Sequence, residues 1–494
     1  MAKTDQAESG KNGKRVSRRA FIGGTAAGAA LGIAGSYATT TGARRAFQSP
    51  AKDFFGFRSN CYWIESTGME DSPLLGPLRG DIKADVVIIG GGYTGLASAL
   101  YLTEKFPEKK VVILEGARVG YGASGRNDGV LLPLVNGSEE IIDQLIDEGR
   151  IEEAREIFEK TSAGIGLIDD LVKNHNIECE WEPRSCLIGA LTESQAELLE
   201  KVHERYAALG LDSEWLSATE QQRRVNVQGY RAAFTAPVGG MINPAKLARG
   251  LLAKLLAKGV SVYEGSRAVE ITPGSKVKAL TPAGSVTAPA LVLATNAYTS
   301  KLGFFQNRVL PIHSFSIATE PLSEKQIETL NWGGREPFLD VRNFFEVFRL
   351  TADNRVVFSG GEAYYYYQDG LGEDENHPDY ARLERALFRK FPMLEGINVE
   401  NKWVGHVGLT LDMKPTVGVT GPEKNIYHAL GYSGHGVTVS FLAGKLISEL
   451  YSGERIDPAY DFIVNQRPPA VPPEPFKSTG FALYKRYLHW YDSR

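Results

Sequence analysis

Asp85-Val-Val-Ile-Ile-Gly-Gly-Gly-Tyr-Thr-Gly95, answered downstream by Val111-Val-Ile-Leu-Glu115, is the stretch that decides how this chain folds. It reads as strand, glycine turn, helix, strand and acidic cap. Val86 to Ile89 is an apolar, β-branched run of the kind found in a parallel strand covered on both faces. Gly90 permits a sharp turn. Gly92 removes the Cβ that would block a pyrophosphate, and Gly95 lets the next helix lie close to the sheet. That helix is expected from about Tyr93 to a stop before Pro107, with Leu96, Ala99, Leu100 and Thr103 at helical spacing. Its open N–H groups and dipole face the phosphates. Glu115, at a spacing of roughly 20 residues from the glycines, suits ribose hydroxyls and repels a 2′-phosphate, which disfavours NADP. A lone G-x-G-x-x-G says little. With its whole context present, Gly90, Gly91, Gly92, Tyr93, Thr94 and Gly95 mark the site of an ADP-containing cofactor.

The 494 residues suffice for two or three domains, or for one discontinuous two-domain enzyme. A net charge of -4, with no basic block outside the N-terminus, argues against a nucleic-acid partner. Cys61, Cys179 and Cys186 form no CxxC pair and no zinc pattern, so no metal site is expected. The sequence leaves a Cys179–Cys186 bridge open. The N-terminus carries Ser17-Arg18-Arg19-Ala20-Phe21-Ile22 and then an uncharged Gly/Ala-rich stretch from Ala20 to Thr41. Residues 1–45 thus read as a twin-arginine export signal, with the Tat translocase as partner and a periplasmic or otherwise exported destination. The stretch is weakly hydrophobic for a membrane span, and no lipoprotein cysteine follows it. A plain basic tail is the alternative. Twin-arginine export carries folded proteins, which suits an enzyme loaded with its cofactor before it leaves the cytoplasm.

Further along, 46–82 reads as an arm with Phe54, Phe55, Phe57, Tyr62 and Trp63, and 83–137 as the first part of the nucleotide domain. A helical pattern runs from Ser138 to Leu171, and 138–235 is expected to open the substrate domain. The nucleotide domain resumes over 236–310, a β-rich substrate sheet follows over 311–400, the nucleotide domain closes over 401–455, and 456–494 is a tail. Two features support the resumption. Ala290-Leu-Val-Leu-Ala-Thr-Asn296 is a second buried strand ending in small polar residues. Asn425-Ile-Tyr-His-Ala-Leu-Gly-Tyr-Ser-Gly-His-Gly436 is a strand and glycine turn that opens the apolar helix Val437–Leu450. That is a second helix N-terminus aimed at a ligand. NAD needs only one. FAD can use two, because its ring gains negative charge on reduction where helix-end amides stabilise it. FAD is favoured over nicotinamide.

In these motifs the chain resembles the D-amino-acid-oxidase-like family of FAD-dependent oxidoreductases, in its gamma-glutamylputrescine-oxidoreductase-like branch. Gly90–Gly95 with Glu115 carry the resemblance, together with Gly120-Tyr-Gly-Ala-Ser-Gly-Arg-Asn-Asp-Gly129, Leu293-Ala-Thr-Asn-Ala-Tyr298, Ala318-Thr-Glu-Pro-Leu322, Trp403-Val-Gly405 and Gly431-Tyr-Ser-Gly-His-Gly436. It covers about residues 60–490. It implies an α/β (α+β) fold, with a glutathione-reductase-type Rossmann FAD domain and an antiparallel-sheet substrate domain, discontinuous in sequence. It also implies noncovalent FAD, since no covalent-flavin motif is present. Gly116, Gly122, Ala123, Ser124, Arg126 and Asn127 are implied along the pyrophosphate and ring, and Val269 against adenine through its backbone. Thr295, Asn296 and Ala297 are implied near ribose and phosphate, with Gly405, Gly431, Ser433, Gly434, His435, Gly436 and Val437 near the ring. Asp128 replaces a glycine common in the family; its carboxylate either meets a cationic amine or faces solvent.

Amine oxidation by flavin asks the protein to orient a neutral amine and to exclude water, so the candidates are pocket residues rather than a triad. His313, in Pro311-Ile-His-Ser-Phe, and His406, after Trp403-Val-Gly, are two. Glu346 and Arg349 lie in Asn343-Phe-Phe-Glu-Val-Phe-Arg349, where alternation puts Phe345, Val347 and Arg349 on one face. Arg349 suits a bidentate grip on a substrate carboxylate or a structural ion pair. Tyr364–Tyr367, with Phe344, Phe345 and Phe348, form either an aromatic cage or plain core. The expected function is an exported amine or amino-acid oxidoreductase that passes hydride to flavin N5 and gives an imine for hydrolysis. Its partners are a small amine or amino acid and O2. The alternatives are a dehydrogenase feeding a quinone or periplasmic carrier, a flavin-containing assembly or maturation factor and, third, a nicotinamide dehydrogenase.

Overall fold

The computed structural model describes residues 60–372 and 376–494. The export signal expected over 1–45, and Phe54, Phe55 and Phe57, lie outside the described residues. Val86–Ile89 and Val111–Leu114 are buried at every position and pair in parallel. Ser261–Tyr263 flanks them on one side. Ala290–Leu293, Ile426–Leu430 and the antiparallel edge Thr416–Thr420 extend the sheet on the other. Period-two alternation sorts each strand between two cores. Val86 and Ile88 join the core under helices Tyr93–Lys105, Pro244–Ala257 and Gly436–Ser452. Val87 and Ile89 face a β-meander of Glu270–Thr272, Val277–Thr281 and Gly284–Ala288. Gly444 marks where two of these helices cross, since a Cβ there would stand 2.6 Å from the Ala97 Cβ.

The substrate sheet runs in the order Tyr364–Tyr365, Leu310–Thr319, Val356–Gly360, Glu346–Leu350, Phe338–Asp340, Leu187–Ala190, Ala232–Thr235 and Trp215–Ser217. It is antiparallel except where Phe338–Asp340 meets Leu187–Ala190. Phe315, Phe338, Phe348 and Phe358 line one face and pack on helix Asp379–Lys390 and its continuation at Phe391. The other face, which carries Val347 and Arg349, turns toward the nucleotide side.

Several expected boundaries move. The arm is no linker after residue 60, because Cys61, Tyr62, Trp63, Ile64 and Met69 are buried against Tyr121, Ala245 and Trp403. Gly80–Lys83 pairs with Gly284–Ala288, so the nucleotide domain begins before residue 83. Val399–Leu409 belongs to the substrate sheet, pairing with Leu310–Thr319 along the length of that strand; the last nucleotide segment therefore starts after it, not at 401. The helical pattern over 138–171 is two helices, Ser138–Asp147 and Ile151–Asn174, separated by Gly149 at φ 75°. The second spans both cores: Ala154 and Phe158 pack under the substrate sheet, while Gly164 meets the Thr438 backbone and Ile168 and Leu171 join the nucleotide core. All three cysteines are buried free thiols, and no Cys179–Cys186 bridge forms.

Candidate active site

The cofactor groove is built from close backbone approaches. Gly90 sits at φ +107°, where a side chain is strained, and a Cβ there would lie 2.7 Å from the Ala294 carbonyl oxygen. A Cβ on Gly92 would come 2.8 Å from Ser124 Oγ, and one on Gly95 only 1.9 Å from the Gly90 oxygen. Helix Tyr93–Lys105 has no side chain from its N-cap, Gly92, to close it; the Tyr93 N–H donates to Ser124 Oγ across the groove (2.8 Å). Glu115 is enclosed. Its carboxylate accepts from the Gly91 N–H (2.7 Å) and the Ala117 N–H (2.8 Å). Burial raises its pKa, and these amides work against the rise. The second glycine turn is tied to the first. Thr94 and Tyr432 hydroxyls meet at 2.6 Å, and Asn296 Oδ1 accepts from the Gly431 N–H (2.9 Å). Gly434, at φ +98°, has open space where a Cβ would stand, and helix Gly436–Ser452 likewise has no side-chain cap. Two open helix ends, a cradle cleared of Cβ atoms and an enclosed carboxylate fit FAD. Gly90–Thr94 and Ser124 suit the pyrophosphate, Glu115 the ribose, and Gly434–Val437 the ring.

Not every residue implied for the cofactor faces the groove. Val269, implied to meet adenine through its backbone, opens the meander with its N–H donated to the Leu280 carbonyl and its side chain exposed. The neighbouring backbone at Arg267 is what packs over Gly116, 3.7 Å from where its Cβ would be. The Arg126 guanidinium is buried and turned inward, donating to the Tyr121 and Val404 carbonyls over the Tyr121 ring. Asn127 stitches its own loop through Ala123, Ser124 and Gly129. The Tyr93 ring is core, with its hydroxyl on the Pro244 carbonyl. Ser433 braces the turn through Gly408 and Thr410, and Thr295 pairs with Thr299. Ala297 is buried, while Gly122 has open space where a Cβ would stand and Gly405 backs onto Arg126. Burial keeps the His435 ring neutral by lowering its pKa.

The five candidate catalytic residues divide. His313 and His406 are direct partners across the paired strands, so their rings share a face and meet edge-on at 4.5 Å. Tyr366 stands edge-on to His313, and the Tyr298 hydroxyl reaches His406 Nδ1 at 2.7 Å. Burial, His313 and Arg126 push the His406 pKa down to about 3. Arg349 does not offer its fork to a carboxylate. It is 1% exposed, lies over the Trp63 ring, and donates from one nitrogen to the Gly129 (2.9 Å) and Ile242 (2.8 Å) carbonyls. Burial lowers its pKa to about 10. Glu346 points to the opposite face, as alternation requires, into a buried cluster with Arg342 (2.9 Å), Lys390 (3.5 Å) and Arg382. It holds helix Asp379–Lys390 to the sheet and is remote from the Arg349 side. Asp128 does not simply face solvent. Its Oδ1 is enclosed without a hydrogen bond near Ser359, and burial lifts its pKa to about 6. The tyrosine run forms no cage: Tyr364 packs with Phe315 and His377, Tyr365 bonds Glu474, and Tyr366 alone meets His313.

Sequence reasoning missed Tyr298, Tyr366, Tyr432 and Glu264. Glu264 is fully buried, accepts from the Val119 N–H (2.9 Å), and pairs with Arg249 (2.8 Å), fixing the loop beyond Glu115. Tyr298, Tyr366 and Tyr432 sat in quoted stretches without these roles, and nothing local tells a tyrosine that binds a distant histidine or threonine from one that packs.

The two tied glycine turns and the sheet facing them define an FAD-dependent oxidoreductase. The chain belongs to the DAO family of FAD-dependent oxidoreductases, whose model matches residues 85–450. It is 35% identical over 389 residues, 77% of this chain and 87% of the relative, to gamma-glutamylputrescine oxidoreductase of Escherichia coli (strain K12). It is 24% identical over 77% of this chain and 95% of the relative to glycine oxidase of Geobacillus kaustophilus (strain HTA426). Among solved structures, L-proline dehydrogenase from P. horikoshii superposes with a TM-score of 0.64 at 16% identity, covering 78% of this chain and 97% of that one, a likeness of fold. Members of the family act on amines and amino acids.

Proposed function

We propose that the chain oxidises the C–N bond of a small amine or amino acid to an imine, which water hydrolyses to a carbonyl compound and an amine or ammonia, with O2 as electron acceptor. The observation that carries this is the tie between the two glycine turns through Asn296 and Thr94–Tyr432, which aims both open helix ends into one groove beside the sheet. Bound FAD supplies the acceptor for the hydride. The protein's part is placement. Asp128, with a pKa of about 6, is anionic at neutral pH and attracts a substrate ammonium into the site. His406 stays neutral across the working range, so it orients rather than charges. Tyr298 donates to its Nδ1 and leaves Nε2–H directed at the Gly372 carbonyl. Relatives named as glycine oxidase and sarcosine oxidase subunit beta support O2 as acceptor.

The test is anaerobic bleaching of the yellow holoenzyme by a panel of amines and amino acids, followed by air. A bleaching substrate, rapid return of colour and peroxide release are expected. Colour that returns only with a soluble quinone reassigns the acceptor, and a panel that never bleaches the flavin favours an assembly role. We further propose export by the twin-arginine route, resting on Ser17-Arg18-Arg19-Ala20-Phe21-Ile22. Replacing Arg18 and Arg19 with lysine is expected to leave the protein, FAD-loaded, in the cytoplasmic fraction.

A further inference from the structure

The C-terminal helix Phe476–Asp492 lies beyond the stretch matched by the family, and it is seated the wrong way round for a surface helix. Beside Phe481, which packs on Tyr365, its inward side is polar. Lys477 is buried on Asp369 (3.1 Å), Lys485 pairs with Glu362 and reaches the Ala363 carbonyl, His489 meets Glu362 (2.5 Å), and Asp492 accepts from Asn343. Its aromatic side faces out. Phe476 is 61% exposed, Leu483 51%, Trp490 48% and Tyr491 54%. Of the thirteen exposed large apolar side chains among the described residues, five lie on this helix of 17 residues. A helix normally buries such a stripe, and here the ion pairs prevent it from rolling inward.

We infer that this outward face docks on an anionic phospholipid surface, the helix lying in the plane of the headgroups without crossing. Three observations select that occupant. The stripe combines tryptophan, tyrosine, phenylalanine and leucine, the side chains that settle at a membrane–water boundary. Arg486 lies beside it, and Arg494 sits over the Trp490 ring (3.6 Å). The acidic residue of the helix, Asp492, is turned inward onto Asn343. A second copy is a poorer occupant, because the helix turns its acidic residue inward and so offers no carboxylate on this face for the arginines of a like helix to meet.

The full-length FAD-loaded protein is sedimented with vesicles of phosphatidylglycerol and phosphatidylethanolamine, or of phosphatidylcholine alone. Wild type is expected to pellet with the anionic vesicles. Leu483→Glu combined with Trp490→Glu, judged folded by unchanged flavin content and melting temperature, is expected to bind at least about tenfold more weakly. Arg486→Glu is expected to weaken binding to anionic vesicles alone and to reduce its salt dependence. Equal pelleting of wild type and the double variant, which would trace binding to another segment such as the N-terminus, overturns the inference. So does no pelleting by either, or a wild-type dimer that the double variant dissolves.

Discussion

The nucleotide turn and the histidine pair show two ways of building a site. At Gly90–Gly95 what matters is backbone left open by missing side chains, and its constraints lie within one strand–turn–helix unit. At His313 and His406 what matters is side chains closed upon one another, brought together by strands far apart in sequence. The first kind of site fails sterically and at once when a methyl group is added. The second fails electrostatically, and by degrees with pH.

The largest effect is therefore expected at Gly95. Its Cβ position is 1.9 Å from the Gly90 oxygen, backbone that cannot step aside. Gly95→Val is expected to cost more than about 3 kcal/mol and to yield protein without flavin absorbance. A yellow, stable variant would show that helix Tyr93–Lys105 does not need this close approach. Arg349 comes next. Arg349→Met removes the donor shared by the Gly129 and Ile242 carbonyls, and a loss of about 3 kcal/mol is expected in denaturant melts. A variant of unchanged stability with a raised KM for amino acids alone would restore the carboxylate grip that the geometry denies.

How much was legible follows the same division. The glycine spacing, Glu115 and the two apolar strands obey short-range rules, and the sheet, the helix starting at Tyr93 and the second turn were readable from them. The direction of Arg349 was not. Alternation put it on the correct face, but an arginine pattern does not say whether its fork meets a ligand or three main-chain carbonyls. Glu346 shows the converse. The same alternation put it opposite Arg349, yet its cluster with Arg342, Arg382 and Lys390 depends on a helix that packs from over thirty residues downstream. The boundary expected at 401 cuts through Val399–Leu409 for a related reason: the strand's partner is settled by pairing with Leu310–Thr319, which no local pattern records.

The histidines predict a pH effect of intermediate size. His406 and His428 are both held near a pKa of about 3 by burial. As pH falls below about 6.5, the unfolded chain takes up protons that the native state refuses, so native stability drops until about pH 3. His406→Asn removes one such group. It is expected to spare about 2 kcal/mol of the loss between pH 6.5 and 4. An unaltered acid transition would mean that His406 charges within the fold.

Asp128 gives the smallest effect, of opposite sign. Its native pKa of about 6 lies above the ordinary 3.8, so the folded state holds the proton more tightly and wild type loses stability as pH rises from about 4 through 6. Asp128→Asn escapes that loss. A gain of about 1 kcal/mol is expected at pH 7.5 and none at pH 4, allowing for the partial exposure of the residue. The same variant is expected to raise KM for cationic amines while leaving flavin content unchanged. The two readouts separate the roles. A stability gain with unchanged KM would leave Asp128 as a buried loop carboxylate beside Ser359, whereas a raised KM with the gain would make it an anchor that the fold keeps at a cost to its own stability.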